Sequence, residues 1–172
     1  MRKLTALMAA GLVLGASGMA MAATTASSDA TATVVSPLAI AKDSGKDLKF
    51  GKISASGTAG TVVVTAADAR TSTNVQLLDN SGGSQAAAVF TVTGETDAVY
   101  SVTLPTLNSI NPVTLTGPSS ATMTADTFTK SAASGTLSLG TDALKVGATL
   151  NVGSTQASGT YTGSFDVIVA YN

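Results

Sequence analysis

Gly159-Thr160-Tyr161-Thr162-Gly163-Ser164-Phe165-Asp166-Val167-Ile168-Val169-Ala170-Tyr171-Asn172 closes the chain and carries its clearest pattern. Tyr161, Phe165, Val167 and Val169 alternate with Thr162, Ser164 and Asp166, the period-two rhythm of a strand with one strongly apolar face. The spacing predicts a strand over 160–171, with Tyr171 on the same face. An apolar strand with no successor in the sequence leaves a sheet edge in need of a partner.

Working back from this stretch, strand signals recur at short intervals. Residues 144–152, 135–139 and 121–127 read as strands, as do 98–104, where Tyr100, Val102 and Leu104 alternate, and 88–93. Residues 94–97 then read as the hairpin loop between the last two. The region 105–120 holds Pro105, Pro112 and Pro118 and is expected to be a loop with a short strand at 113–115. Further back lie the β-branched run Val62-Val63-Val64 and a short candidate at 74–78, closed by the turn sequence Asp79-Asn80-Ser81-Gly82-Gly83. In Leu48-Lys49-Phe50-Gly51-Lys52-Ile53, Leu48 and Phe50 share a side. Many short strands with Gly-, Pro- and Asn-rich turns, and no capped helical period, predict an all-β antiparallel sandwich of one domain.

Ahead of a charged turn at 42–46, residues 23–41 are rich in Ala, Thr and Ser. Ala30, Ala32, Val34, Leu38 and Ile40 share one parity there, with Ser36 the polar member. Pro37 makes an edge or added strand the expectation. Met1-Arg2-Lys3, the apolar run 4–14 and Ala20-Met21-Ala22 have the charged start, short core and small-residue cleavage site of an export signal. At 11 residues that run is shorter than the roughly 20 a membrane span requires. The expected organisation is a leader at 1–22, an extension at 23–41 and a domain at 42–172, in a chain soluble outside the cytoplasm.

Composition narrows the chemistry. Without the leader, seven basic residues face ten acidic ones, a net charge near −3, so the basic footprint of a nucleic-acid binder is missing. The 172 residues contain no His, Cys or Trp. Ser-His and Cys-His catalysis and imidazole or thiolate metal sites are therefore excluded, and the fold holds by burial and strand pairing without disulfides. Lys42, Lys46, Lys49 and Lys52 read as a solvated face, and Glu95 with Asp97 as polar turn residues rather than paired catalytic acids. Asp43 and Asp47 resemble a calcium loop but lack its spacing and terminal Glu. Neither an enzyme nor a cofactor is expected.

Gly159 stands fourteenth from the end and Tyr171 penultimate, with the apolar alternation between them. This resembles the C-terminal motif of chaperone/usher pilins. Leu48-Lys49-Phe50-Gly51, Phe90-Thr91-Val92-Thr93-Gly94, Tyr100-Ser101-Val102-Thr103-Leu104, Val146-Gly147-Ala148-Thr149-Leu150 and Gly159-Thr160-Tyr161-Thr162-Gly163 resemble, in that order, a family of small secreted bacterial proteins known as a domain of unknown function. That family is similar in turn to the archaic pilin and spore-coat-U-like groups.

The resemblance implies an immunoglobulin-like antiparallel β-sandwich of the pilin type that lacks its last strand. A periplasmic chaperone fills the gap first, and the extension of the next subunit fills it after passage through an outer-membrane usher. On that reading Gly159, Tyr161, Phe165, Val167, Val169 and Tyr171 line the groove, and Ala30, Ala32, Val34, Leu38 and Ile40 form the donor strand. The expected role is a fibre subunit contributing to adhesion or biofilm. The alternative is a monomeric secreted sandwich whose extension folds onto its own sheet and whose loops bind a glycan or a protein.

Overall fold

A computed structural model describes residues 24–78, 84–105, 112–131 and 135–172. The expected leader at 1–22 and the turn at 79–83 lie outside these. The chain falls into two compact units, 1–33 and 34–172. In the first, residues 24–33 are exposed and have no regular secondary structure.

The second unit is built from strands. β1 (Ala39–Lys42), β2 (Ile53–Ala55), β3 (Gly60–Val64), β4 (Arg70–Thr73) and β5 (Val75–Leu77) come first. β6 (Ala88–Thr93), β7 (Tyr100–Thr103), β8 (Val113–Thr116), β9 (Thr122–Lys130), β10 (Thr141–Val152) and β11 (Ile168–Tyr171) follow. Apart from one 3-10 turn at Pro118–Ser120, the described residues contain no helix, so none is long and apolar enough to cross a membrane. The all-β expectation is met. Seven strands form one antiparallel sheet, and β11 with β7 and β2 with β5 form two-stranded antiparallel sheets.

The 12-residue β10 organises the large sheet. Residues 149–151 pair with β3 and also with β9, so those two strands occupy opposite edges of β10. Val146 pairs with Ala88 of β6 and Lys130 of β9, which puts β6 on the same edge as β3. β10 thus leaves β6 for β3 near Gly147, where its register with β9 shifts. A Cβ at Gly147 would run into the Val64 carbonyl and the backbone of Thr65 and Ala66, so the crossing requires a residue without one. Apolar residues of alternate parity then meet in one core. Val62, Val64, Val92, Leu137, Leu144 and Val146 are fully buried, each contributing about 1.5–3 kcal/mol of hydrophobic stabilisation.

Four features depart from the sequence reading. Residues 94–97 do not close a hairpin between β6 and β7, because β1 and β10 occupy the two edges of β6 and β7 pairs with β11 instead. Residues 135–139 make only isolated bridges through Thr136 and Ser138, since positive φ at Gly135, Leu139 and Gly140 breaks the extended run. The strand expected over 160–171 is regular only at β11. Finally, β4 is an unforeseen strand, Arg-Thr-Ser-Thr, whose pairing with β3 supplies order that its own side chains do not signal.

Candidate functional site

The closing segment keeps strand periodicity beyond the strand itself. Tyr161, Phe165, Val167, Val169 and Tyr171 are half-buried and pack on the core, while Thr162, Ser164, Asp166, Ile168 and Ala170 are exposed. The parity read from the sequence is therefore the parity of the structure.

Local contacts fix the segment at its ends. Gly159 has a φ of +148°, and a Cβ there would strike the Pro118 ring. The Tyr161 hydroxyl donates to the Ala157 carbonyl at 2.8 Å and accepts from Gln156 Nε2 at 2.8 Å. Thr162 exchanges both backbone hydrogen bonds with Thr116 at the end of β8, at 2.8 and 3.0 Å. The Phe165 ring lies 4.9 Å from Phe128 and 6.3 Å from Phe90, between centroids. Beyond it β11 pairs with β7, and the Tyr171 hydroxyl accepts the Glu95 N–H at 2.7 Å and donates to the Ser36 carbonyl at 2.8 Å.

Between these fixed points the backbone is unpaired. Within the described residues, Gly163 to Val167 make no backbone hydrogen bond. Their outward groups form an edge of the kind that templates another strand.

An apolar groove runs beside this edge. One cleft of about 430 Å³ is lined by Leu48, Phe90, Leu115, Tyr161 and Phe165, with Lys42 and Asp47 among its polar residues. A second, of about 440 Å³, takes in Phe50, Ile53, Met123 and Leu150 and shares Leu48, Leu115 and Tyr161 with the first. The far wall is the stretch 48–53. There Lys49 pairs with Ala86, and Arg70 Nη1 donates to the Phe50 carbonyl at 2.8 Å. Gly51, at φ +76°, turns the backbone before β2. The Lys42 ammonium contacts the Asp47 carboxylate at 2.8 Å, and this hydrogen bond holds the Asp47 carboxyl below its ordinary range. A groove of this composition can bind by shape and strand pairing.

The residues expected to form the donor strand divide. Ala30 and Ala32 lie in the exposed stretch ahead of the compact unit, and Val34 is 95% exposed. Leu38 and Ile40 are half-buried on the chain's own core, with Ile40 opposite Val92 in the β1–β6 pair. β1 is an edge strand and begins two residues after Pro37, as the proline anticipates. Glu95, weighed as half of an acidic pair, accepts the Ser36 N–H at 2.8 Å, while the Asp97 N–H donates to the Leu137 carbonyl at 2.8 Å. Among the described residues no three acidic side chains gather as a metal cage would need. The reading of the closing motif alone missed Leu115 and Met123. Both belong to strand-period segments, but nothing local says that they face this groove.

A family model described as "Domain of unknown function (DUF4402)" matches residues 38–171. No curated protein and no solved structure matches the chain. The matched region begins at the first half-buried residue of the extension and ends at Tyr171, so it takes in β1 through β11.

Proposed function

The chain belongs to the DUF4402 family, and from that premise we propose that it is an exported structural subunit of a surface fibre, completed by a strand from a partner. The observation that carries this reading is the unpaired backbone of Gly163 to Val167 beside an apolar groove. The segment turns Phe165 and Val167 to the core while its edge is open, which is what strand addition requires. The finer fold reading, an immunoglobulin-like pilin sandwich short of its last strand, belongs to the same proposal.

A periplasmic chaperone would hold the groove first, an outer-membrane usher would pass the subunit on, and the extension of another copy would then replace the chaperone. The leader at 1–22 directs export, and the fibre contributes to adhesion or biofilm. Val34 and Val35, 95% and 53% exposed, are the apolar residues of the extension left for a partner to cover.

A monomeric binding module is the second reading. A depression of about 460 Å³ lined by Thr61, Thr122, Thr124, Asn151 and Gln156 offers hydroxyl and amide groups to a polar ligand. Its weakness is the lack of an aromatic anchor: each of the four Phe and three Tyr is buried or half-buried.

Deleting residues 24–35 decides between the two. The fibre reading expects electron micrographs of the expressing cells to lose fibres while the truncated subunit persists with its chaperone. An isolated mature chain that sediments as a stable monomer, and is unchanged by the deletion, would favour the binding module.

A further inference from the structure

The outer face of the large sheet carries a row of hydroxyl and amide side chains. Register places Thr61 of β3 opposite Asn151 of β10, and Thr73 of β4 opposite Thr61. On the other edge of β10, Asn151 stands opposite Thr124 of β9, which stands opposite Thr114 of β8. One polar side chain from each of these adjacent strands therefore falls in line. At about 4.8 Å between neighbouring strands, the row spans roughly 19 Å. The intervening residues Val62, Ala125, Leu150 and Val152 are buried in the core, so alternation turns the row to the other side of the sheet.

Thr71, Val63, Thr149, Thr122 and Thr116, each two residues along its strand, extend the same face. None of these positions carries a charge. Among the described residues, the hydroxyls of Thr61, Thr73, Thr114 and Thr122 make no hydrogen bond to the protein. Asn151 is held differently. Its Nδ2 donates to Asp126 Oδ2 at 2.8 Å and, more weakly, to Thr124 Oγ1 at 3.4 Å. Asp126 is only 9% exposed and also accepts from the Thr127 hydroxyl at 2.9 Å. A buried carboxylate thus orients the amide, while Asn151 Oδ1 accepts no hydrogen bond from any described residue. Asn151 lines the depression of about 460 Å³, together with Thr61, Thr122 and Thr124. Gln156 closes one side, its Nε2 donating to the Thr122 carbonyl at 3.0 Å and the Tyr161 hydroxyl at 2.8 Å.

This chemistry selects the occupant. A fixed acceptor among hydroxyls that both donate and accept suits a ligand itself built of hydroxyls. The threonine methyls between them offer apolar contact to the C–H faces of a sugar ring. A face without charge lacks the attraction that an anionic polymer or nucleic acid requires. Neighbouring strands rotate by about 20–25°, so a row crossing from β4 to β8 follows a twisted path. A single extended chain can track such a path, whereas a planar crystal lattice cannot. One shallow face without an aromatic anchor holds weakly, and several copies engaged on one polymer offset that weakness.

We propose that the face centred on Thr61, Asn151 and Thr124 binds a single chain of a neutral polysaccharide, laid across the strands with its hydroxyls on the Asn151 carbonyl and the threonine hydroxyls. This goes beyond the fibre reading and does not depend on it, because one domain carries the whole face. Leu115, Met123 and Leu150, which line the closing-segment groove, take the opposite parity and point away from it.

The test is retention of the mature exported chain on amorphous cellulose, amylose, chitin and agarose, which cover gluco, N-acetylgluco and galacto repeats. The proposal expects retention on at least one of them that persists in about 1 M salt, where the Debye length is near 3 Å. Thr61→Val, Thr114→Val and Thr122→Val combined remove hydroxyls at unchanged shape and keep strand preference, and should lower that retention roughly tenfold or more. Should the triple variant lose stability, the single exposed substitution Thr122→Arg, which sets a bulky side chain over the depression, must lower retention as well. Thr103→Val, at an exposed position of β7 outside the face, should leave retention unchanged. Retention on none of these polymers, retention that disappears in salt, or equal retention of a folded triple variant would overturn the proposal. A triple variant that changes in sedimentation but not in retention would make the face a contact between copies, which overturns it equally. None of these results touches the fibre reading, which the deletion of residues 24–35 decides.

Discussion

Phe165 packs against Phe128 with ring centroids 4.9 Å apart and planes at 47°, joining the closing segment to a fully buried residue of β9. It is the main apolar anchor of a stretch whose backbone is otherwise unpaired. Phe165→Ala should cost about 2 kcal/mol, toward the lower side for a large core truncation because the ring is only half-buried. Phe165→Asp places a charge on the same face and should block chaperone capture and assembly. Ser164→Asp, on the exposed parity but at the mouth of the same cleft, should be milder. Chaperone pull-down and fibre yield test the pair, and equal behaviour of Phe165→Asp and wild type would remove the groove from the mechanism.

Gly147 should be among the least replaceable residues in the chain. Gly147→Ala forces a Cβ toward the Val64 carbonyl where β10 crosses from β6 to β3, and a cost of about 1–3 kcal/mol is expected. The measurement is the denaturation midpoint of the mature chain. Gly57→Ala, where a Cβ would meet nothing within 4 Å, is the control and should fall within about 0.5 kcal/mol of wild type.

Asp68 predicts an acid-dependent stability. Its carboxylate accepts from Lys145 Nζ and from the Ala87 N–H, both at 2.8 Å, and the Lys145 hydrogen bond is the main reason its carboxyl stays below the ordinary value of 3.8. A folded-state value lower than the unfolded one means that this stabilisation is present above about pH 4 and is lost as pH falls through the folded value. The pair is solvent-facing, so its contribution is at most about 1 kcal/mol. Melting curves should place Asp68→Asn below wild type at pH 7, with the difference closing as pH falls below the ordinary carboxylate range. A constant gap across that range would show that proton linkage at Asp68 contributes nothing.

Tyr100 predicts behaviour at the alkaline end. Burial, together with the 2.8 Å hydrogen bond that its hydroxyl donates to Asp142, pushes its ionisation well above the ordinary tyrosine value of 10. The unfolded chain releases this proton near pH 10 while the folded chain retains it, so stability falls as pH rises above about 10. An absorbance titration of the phenols should contain a late step that is missing in Tyr100→Phe.

Legibility in the sequence followed how local each signal was. β6 was read to the residue, and β3, β8, β9 and β10 to within three residues, because their own side chains alternate or are β-branched. The closing segment's apolar parity was equally plain. β4 was invisible because Arg70, Thr71, Ser72 and Thr73 carry no apolar face, and β3 alone makes them a strand. The supposed 94–97 hairpin failed because sequence adjacency does not reveal that β1 and β10 already occupy the edges of β6. Leu38 and Ile40 shared a parity with Ala30 and Ala32, yet parity gave no sign that packing begins only beyond Ser36, which is held by contacts from residues 59 and 135 positions away.

β1 joins the domain edge with its first residue opposite Thr93, near the Ser36 contacts with Glu95 and Tyr171, and its last opposite Phe90. A pull along the β1 axis from its Ser36 end loads its four register pairs with β6 together in shear, not one after another. The groove beyond Phe165 lies toward the opposite end of the same strand axis. With a partner seated in that groove, a pull from the Ser36 end would run lengthwise through β1 and β6.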